Sequence, residues 1–420
     1  MKRLFVFVLL VMLAGAVFAE GAKEVPREIT ILTGANETLP EFALALEKFA
    51  ADYPDVAVRV LRLDLSDGST LTMDAQLAAG TTPNIYQDYI GRVSKYLVPE
   101  FALDLTGYLR DIDKYNAGVL GPYTRGGKLL GLPQPAGVQG FAVNLDIAEA
   151  VGFEVRDDWT VAEFFDLAER VKQHYGGTKY VTGLFAANQS GDYLVNNWFA
   201  AFGASHYKAG DYSRTTIAET GGAKVYEFFQ TLVRNGYVRD NSATLTDDDY
   251  VIHWASEEIA GGAFFQAWVK PYFDSVKSQG IGDGFRYKFV PFPRAEGVER
   301  VPTYASMGAI VVHRTDTVQD EWAARLAEYL NDGESQTMMS MVDVVPNRSD
   351  ARMLSSSDHV VQTAIIAQRN GIMDVGLTTP MFAATRPQHF PVLQKVLNLE
   401  LTPDEAIAEY ERRLNDALSQ

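Results

Sequence analysis

Histidine, carboxylate and tryptophan are the side chains of this chain that could carry chemistry, and their spacing decides which chemistry. The six histidines, His174, His206, His253, His313, His359 and His389, never fall in an HxxxH or HxH pair. That spacing provides no framework for a histidine-centred metal site. The chain has no cysteine, which removes disulfides, zinc-thiolate sites, iron–sulfur clusters and thiol catalysis together. There is no GxSxG elbow and no P-loop, the signatures of two common catalytic frameworks. Gly280-Ile281-Gly282-Asp283-Gly284 lacks a third glycine at the right spacing and a preceding apolar strand, so it reads as a surface turn. Asp247-Asp248-Asp249 offers oxygen ligands, but three acids in a row read better as the acidic first turn of a helix, where they complement its dipole. The 54 carboxylates leave open a paired acid/base couple of the glycosidase kind, and no pair stands out. No cofactor and no metal are expected.

Aromatic faces bind the apolar faces of sugar rings, so the five tryptophans bear on function. Trp159 precedes the capping box Thr160-Val161-Ala162-Glu163 and forms a hydrophobic staple with Phe164. Trp322 lies on the stripe Val318, Trp322, Leu326, Tyr329, and Trp198 on the spacing Leu194, Trp198, Phe202, both read as core. Trp254 carries no signal. Trp268 follows Ala263-Phe264-Phe265-Gln266-Ala267, after a Gly-Gly step and before Pro271. That is a strand end, which favours exposure at a cleft, with core packing as the alternative.

The elements that must position these residues alternate between strand and helix. Ile29-Thr30-Ile31-Leu32 reads as a strand that is apolar on both faces and therefore central in its sheet. Thr38-Leu39-Pro40-Glu41 opens a helix with Phe42, Leu46, Phe49 and Tyr53 on one face, stopped by Pro54. Val56, Val58 and Val60 alternate as a strand, and a second helix from about Ser69 carries Leu71, Ala75 and Ala78. This order argues for a largely parallel sheet flanked by helices. Thr402-Pro403-Asp404-Glu405 opens a last helix. Pro/Gly-rich passages at Gly131–Gly140, Pro291–Thr303 and Val344–Asn347 lie inside the chain, where crossings between lobes would leave neither lobe continuous.

Length and charge bound the class. The 420 residues are 47% hydrophobic, enough for two or three packed domains. A formal charge of −17 argues against general nucleic-acid binding, which needs clustered Lys and Arg. Lys2 and Arg3 precede the unbroken apolar run Leu4 to Leu13, and Val17 and Ala19 stand at −3 and −1 before Glu20. This is the layout of a secretory signal peptide over 1–19, followed by a polar tether over 20–28. Leu13-Ala14-Gly15 begins like a lipoprotein cleavage site, but Ala16 stands where the lipidated cysteine belongs. A free, exported, periplasmic protein without a lipid anchor is expected.

Several segments in order resemble the family 1 extracellular solute-binding proteins, the maltose-binding-protein-like group. Phe49-Ala50-Ala51-Asp52-Tyr53-Pro54-Asp55-Val56-Ala57-Val58 is similar to the family's "F-x-x-x-x-P-x-I-x-V" passage. Leu77-Ala78-Ala79-Gly80-Thr81-Thr82-Pro83-Asn84-Ile85 is similar to "L-A-A-G-x-x-P-D-V", with Asn84 in place of the acid. Gly131-Leu132-Pro133, Val143-Asn144-Leu145-Asp146 and Trp159 to Phe164 resemble "G-L-P … Y-N-K-D … T-W-D-E-F", with Val143 replacing Tyr and the Trp and Thr transposed. Phe289-Val290-Pro291-Phe292-Pro293 and Val345-Pro346-Asn347-Arg348 resemble the "P-L-P" strand and the "L-P-T-R" loop. Together these span almost the whole chain beyond residue 28.

The resemblance implies an α/β, periplasmic-binding-protein-like fold of two lobes around a central cleft, with three crossings near Ala136–Phe141, Pro302–Tyr304 and Met341–Pro346. Lobe 1 is expected from 29–138 plus 303–343, and lobe 2 from 139–302 plus 344–420. The implied function is the capture subunit of an ABC importer. Its small-molecule ligand would be a mono- or oligosaccharide, its partner the permease transmembrane subunits, and its state monomeric, with no enzymatic step. The alternatives are a periplasmic carbohydrate-processing enzyme using a carboxylate pair, and binding of a non-sugar solute. Ligands of this fold sit beyond the carboxyl ends of strands. The candidate contacts are therefore Asn36 and Glu37 after the first strand, Gln87 and Asp88 after Ile85-Tyr86, and Gln266, Trp268, Tyr304 and Arg348 on the other lobe and at the crossings. Glu37, Asp88 and Arg348 would hydrogen-bond hydroxyls, and Trp268 and Tyr304 would supply flat apolar faces.

Overall fold

The computed structural model describes residues 27–34, 39–63, 71–116, 118–187 and 192–419. The expected signal peptide, most of the tether, and Asn36, Glu37 and Thr38 lie outside the described residues. Ile29, Ile31 and Leu32 are fully buried because β1 (Glu28–Thr33) runs between β2 (Ala57–Arg62) and β3 (Ile85–Tyr89), parallel to both. This is the central position that an apolar run on both faces predicts. Helices α1 (Pro40–Asp52) and α2 (Leu71–Ala78) make the two crossovers, α1 burying Phe42, Ala45 and Phe49. Leu39 is the N-cap of α1 and gives no side-chain bond. A short helix α3 (Ile90–Val93) follows β3 directly. Beyond it, β4 (Thr124–Arg125) and β5 (Lys128–Leu129) form a small hairpin turned by Gly126 and Gly127, both with positive φ.

The 13-residue strand β6 (Leu132–Asn144) joins the two halves. Its first part pairs antiparallel with β9 (Ala305–Val312), which in turn pairs antiparallel with β3. Its second part pairs antiparallel with β7 (Gly261–Phe265) and β8 (Tyr287–Val290). The register slips between Pro133 and Ala136, as it must where prolines withhold ladder N–H groups.

Two apolar cores sit at either end of β6. One draws on residues between Ile29 and Leu132 and between Ala309 and Leu330; the other on Phe141 to Val301 and Ile366 to Leu414. A smaller cluster of Phe265, Tyr304, Val375 and Phe382 lies apart from both, with Tyr89, Tyr193 and Trp268 packed on it. The chain from 344 to 352 stays with the first core: Asn116 N–H donates to the Asn347 carbonyl at 2.9 Å and Ser349 N–H to Lys114 at 2.7 Å.

Local signals explain most helix starts of the second half. α4 (Val161–Tyr175) begins at a complete Thr160/Glu163 capping box, with Trp159 donating its indole N–H to the Pro291 carbonyl at 2.7 Å. α5 (Asp192–Ala201) buries Leu194 and Trp198. α6 (Asp247–Ala255) carries the three aspartates in its first turn behind a Thr246/Asp249 capping box, which accounts for the acidic run without a metal. α7 (Gln266–Ser278) leaves β7 at once. α8 (Asp358–Asn370), the single turn α9 (Phe382–Thr385) and α10 (Pro403–Leu418), which starts at a complete Thr402/Glu405 capping box, finish the second half. Among the described residues, no helix is long and apolar enough to cross a membrane.

Candidate functional site

The carboxyl end of β3 and the carboxyl end of β7 meet at one cavity of roughly 220 Å3. The first half of the fold contributes Asp88, Tyr89 and Arg92, and the second contributes Tyr193, Phe265, Trp268 and Arg386. Tyr304 and Ser306, where the chain crosses back into β9, complete the lining.

Asp88, the last residue but one of β3 and not in a loop after it, is held from three directions. Its carboxylate accepts the Tyr89 backbone N–H at 2.8 Å, the Tyr86 hydroxyl at 3.1 Å and the Arg92 guanidinium at 3.2 Å. The strand-to-helix step puts Asp88 and Arg92 four residues apart on the same face, so the ion pair follows from the local fold. Burial pushes the Asp88 carboxyl up from its usual range, against the pull of Arg92 and of the donors from Tyr89 and Tyr86. Across the cavity, Arg386 donates to the Asp192 carboxylate, and both side chains are buried. The two guanidiniums, one from each half, lie 5.5 Å and 5.4 Å from the centre of the Tyr89 ring, within cation–π range.

The remaining walls are aromatic. Trp268, in the first turn of α7, packs against Phe265 at 4.5 Å and edge-on to Tyr193 at 5.3 Å. Phe265 in turn meets Tyr304 edge-on at 5.9 Å. Burial pushes the hydroxyls of Tyr89, Tyr193 and Tyr304 up, so all three are neutral at pH 7. The Tyr89 hydroxyl is buried with no hydrogen-bond partner among the described residues.

Beside the cavity the two halves touch directly. The Ser94 hydroxyl donates to the Thr379 carbonyl at 2.8 Å, and Arg125 donates to the Thr378 carbonyl at 3.0 Å. A Cβ on Gly91 would come within 2.6 Å of the Phe382 ring, so this position needs glycine for the approach.

Of the residues singled out from sequence, Asp88, Trp268 and Tyr304 come together on this cavity. Asn36 and Glu37 lie outside the described residues. Gln87 turns back to β1, accepting the Thr33 hydroxyl at 3.0 Å. Gln266 is fully buried, and its amide is used by the backbone: it accepts Val138 N–H at 2.8 Å and donates to the Asp343 carbonyl at 3.3 Å. Arg348 is buried in the first half, bidentate to Asp350 at 2.9 and 2.8 Å and 4.9 Å from the Tyr115 ring centre. An arginine whose carboxylate partner stands two residues away has no need of a ligand. Sequence reasoning missed Tyr89, Arg92, Tyr193, Phe265, Ser306 and Arg386. Arg92 had a readable signal in its spacing from Asp88; Arg386 reaches its place only through tertiary packing.

A larger groove of about 590 Å3 runs along the flank of the second half, between Asp157–Trp159, the stretch from Lys288 to Val301, and α8. It is lined by one half alone, so a movement of the two halves cannot open or close it. The smaller cavity is lined by both, and it is the candidate site.

Residues 45–364 match the family model described as bacterial extracellular solute-binding protein. No curated protein matches the chain by sequence. Among solved structures, the chain is similar to the GacH receptor of Streptomyces glaucescens, described unliganded and with acarbose. The identity there is 16% and the TM-score 0.76, over 94% of this chain and 98% of that one. It is similar to an ABC transporter solute-binding protein from Thermotoga lettingae bound to α-D-tagatose, at 20% identity and TM-score 0.75, over 94% and 100% of the two chains. Maltose-bound MalE3 of T. maritima aligns at 15% identity and TM-score 0.74, over 93% and 99%. Identities this low speak for the fold, which is the two-lobed binding-protein architecture.

Proposed function

Because the chain belongs to the bacterial extracellular solute-binding proteins, we propose that it is the capture subunit of an ABC importer, taking a mono- or oligosaccharide between its lobes and passing it to the permease. The observation that carries this reading is the composition of the inter-lobe cavity. Aromatic faces from Tyr89, Phe265, Trp268 and Tyr304 stand beside the fixed charged groups of Asp88, Arg92 and Arg386. A sugar needs both, flat apolar surface for its C–H faces and charge-assisted partners for its hydroxyls. The ligands named for the structural neighbours, acarbose, tagatose and maltose, support the same class.

Binding by closure asks only that the ligand contact both lobes, and the cavity is lined from both. Asp88, Trp268 and Tyr304 are the proposed contacts carried from the sequence, joined by Tyr89, Arg92 and Arg386. Asn36 and Glu37 are kept as contacts after β1. Gln87, Gln266 and Arg348 are assigned instead to supporting the walls and crossings. The expected lobes, 29–138 with 303–343 and 139–302 with 344–420, are proposed with one shift: the hydrogen bonds of 344–352 to the first half favour a third crossing just after Arg352, so that 344–352 goes with lobe 1. Export with cleavage near Glu20, a monomeric state and no lipid belong to the same proposal.

Hydrolysis of the sugar would need two carboxylates flanking one bond, and the fate of the bound sugar is what tells that reading from capture. The test is incubation with a panel of sugars, reading the melting temperature and the products together. A ligand that binds the folded state raises the melting temperature by mass action. A rise with the sugar recovered intact supports capture. Release of shorter sugars, or no shift with any sugar, sinks it.

A further inference from the structure

We infer that Asn197 is a positioning residue of ligand capture: it stands outside the cavity lining, yet its amide fixes two of the walls, Tyr193 and Tyr304, against each other. The inference rests on the carbohydrate reading above and goes beyond it in naming a residue behind the walls that presets them for the ligand.

Tyr193 and Tyr304 come from distant stretches of chain. Tyr193 is in the first turn of α5 and is the one residue of that helix among those lining the cavity. Tyr304 lies on the second crossing, one residue before β9 begins. A ring on a crossing is a fixed wall only if its backbone is held, and the Tyr304 N–H is held by a side chain. It donates to the Asn197 Oδ1 at 3.1 Å. Asn197 follows Tyr193 by one helical turn, on the same face of α5, and its Nδ2 donates back to the Tyr193 carbonyl at 3.2 Å. The same Nδ2 donates to the Gln139 Oε1, on the first crossing. Gln139 N–H in turn donates to the Tyr304 carbonyl at 2.9 Å, and the Thr303 hydroxyl donates to the Gln139 carbonyl at 2.6 Å. Two crossings and α5 therefore meet at one fully buried amide, and the Tyr193 and Tyr304 rings stand 6.4 Å apart, centre to centre.

The partners fix which way this amide faces. A backbone N–H needs an acceptor and a backbone carbonyl needs a donor, so the oxygen meets Tyr304 and the nitrogen meets Tyr193. Leucine keeps the branched shape of asparagine but leaves the Tyr304 N–H unpaired in the interior, a state that buried backbone avoids by moving. A shift of the Tyr304 backbone carries its ring with it. Phe265 and Trp268 pack on Tyr193 at 5.6 and 5.3 Å, so the aromatic walls loosen together. Walls that the ligand must order on arrival bind it more weakly than walls ordered in advance.

The test is Asn197→Leu, checked for folding by its melting curve and labelled with 5-fluorotryptophan. Each of the five tryptophans gives a fluorine resonance, and the Trp268 signal is identified by its absence from Trp268→Phe. In the variant the Trp268 signal should move, because Tyr193 stands edge-on to it. Trp254, stacked on Phe273, and Trp322, in the other core, should keep theirs. General destabilisation of a folded protein would not single out Trp268. Titration calorimetry with D-glucose, D-galactose and maltose should show affinity falling about tenfold or more for whichever of them binds, roughly 1.4 kcal/mol. A folded variant whose Trp268 signal stays in place, or whose sugar affinity is that of the unmodified protein, overturns the inference. If none of the three sugars binds the unmodified protein, that counts against the carbohydrate reading, and the fluorine spectrum alone decides whether Asn197 holds the walls. Should the variant fail to fold, hydrogen exchange at the Tyr304 N–H of the unmodified protein decides. Exchange as slow as that of the paired N–H groups of β6 supports the hold by Asn197, and exchange as fast as in an exposed loop overturns it.

Discussion

At the scale of single residues, Trp268 and Trp254 make a natural pair of controls. Trp254 is fully buried and stacks on Phe273 at 5.1 Å. Trp268 is half-buried, with Phe265 and Tyr193 on it and the cavity in front. Truncating a fully buried tryptophan costs about 3–5 kcal/mol of stability, from lost transfer energy plus the void left behind. Trp268 has packing partners on part of its surface and opens onto existing space, so Trp268→Ala should cost about 1–2 kcal/mol in the ligand-free protein, within the ordinary range for point changes. Sugar affinity should fall by about 1–3 kcal/mol, the scale of losing an aromatic stacking face. Calorimetry on both tryptophan variants, with and without ligand, separates the two roles. An apo loss at Trp268 as large as at Trp254, with affinity intact, would make Trp268 core rather than platform.

At the scale of elements, what could be read from sequence was what local physics decides. β1 sits mid-sheet because Ile29, Ile31 and Leu32 leave no polar face to expose. The boxes at Thr160 and Thr402 form in full because a hydroxyl and a carboxylate three residues apart can each reach the other's backbone N–H. The cavity was legible only in part, where a residue stands near the end of a strand: Asp88 on β3, and Trp268 just past β7. Tyr193 and Arg386 arrive from helices whose placement depends on the second core, and no local spacing records that. β6 was the other gap. Its prolines and glycines read as a crossing between lobes, with no strand signal, and the backbone stays extended across it, with β9 on one half and β7 and β8 on the other. Gln266 shows why a polar residue at a strand end need not face ligand. Its amide joins the first crossing at Val138 to the backbone at Asp343. Gln266→Leu would strand a buried N–H and a buried carbonyl, at about 1–3 kcal/mol for each such group. Urea unfolding should record that loss, while sugar selectivity stays as in the unmodified protein. A change in which sugar binds, without loss of stability, would return Gln266 to the ligand.

At the scale of the whole molecule, acidification sets two effects against each other. The chain carries −17 at neutral pH and has a sequence pI near 4.8, so lowering the pH relieves self-repulsion and favours the compact state. Against this stand His206 and His389, buried in the second core around Phe199 and Tyr410. Burial lowers His206 to about 4, with Asp374 pulling weakly the other way. Burial and the neighbouring His206 lower His389 to about 3. Neither the His206 Nε2 nor either ring nitrogen of His389 has a hydrogen-bond partner among the described residues. The Asp192–Arg386 pair borders the same small cavity and carries no net charge. Both histidines are therefore neutral when folded and take up protons near 6.5 when unfolded, so the unfolded state binds more protons below that pH. Their contribution to stability is complete above pH 6.5 and is lost as the pH falls toward 4. The loss is roughly 3 kcal/mol for His206 alone, because a tenfold change in proton affinity is worth about 1.4 kcal/mol. Salt separates the two effects, because surface repulsion is screened within about 3 Å at about 1 M salt while the cost of burying a charge is not. Urea midpoints at about 1 M salt should hold level above pH 6.5 and drop steadily toward pH 4, ahead of the titration of ordinary carboxylates. His206→Phe with His389→Phe keeps both rings and removes both titrations, so that drop should flatten. A midpoint that stays level or rises over this range in the unmodified protein at high salt would mean the buried histidines do not govern its acid limb.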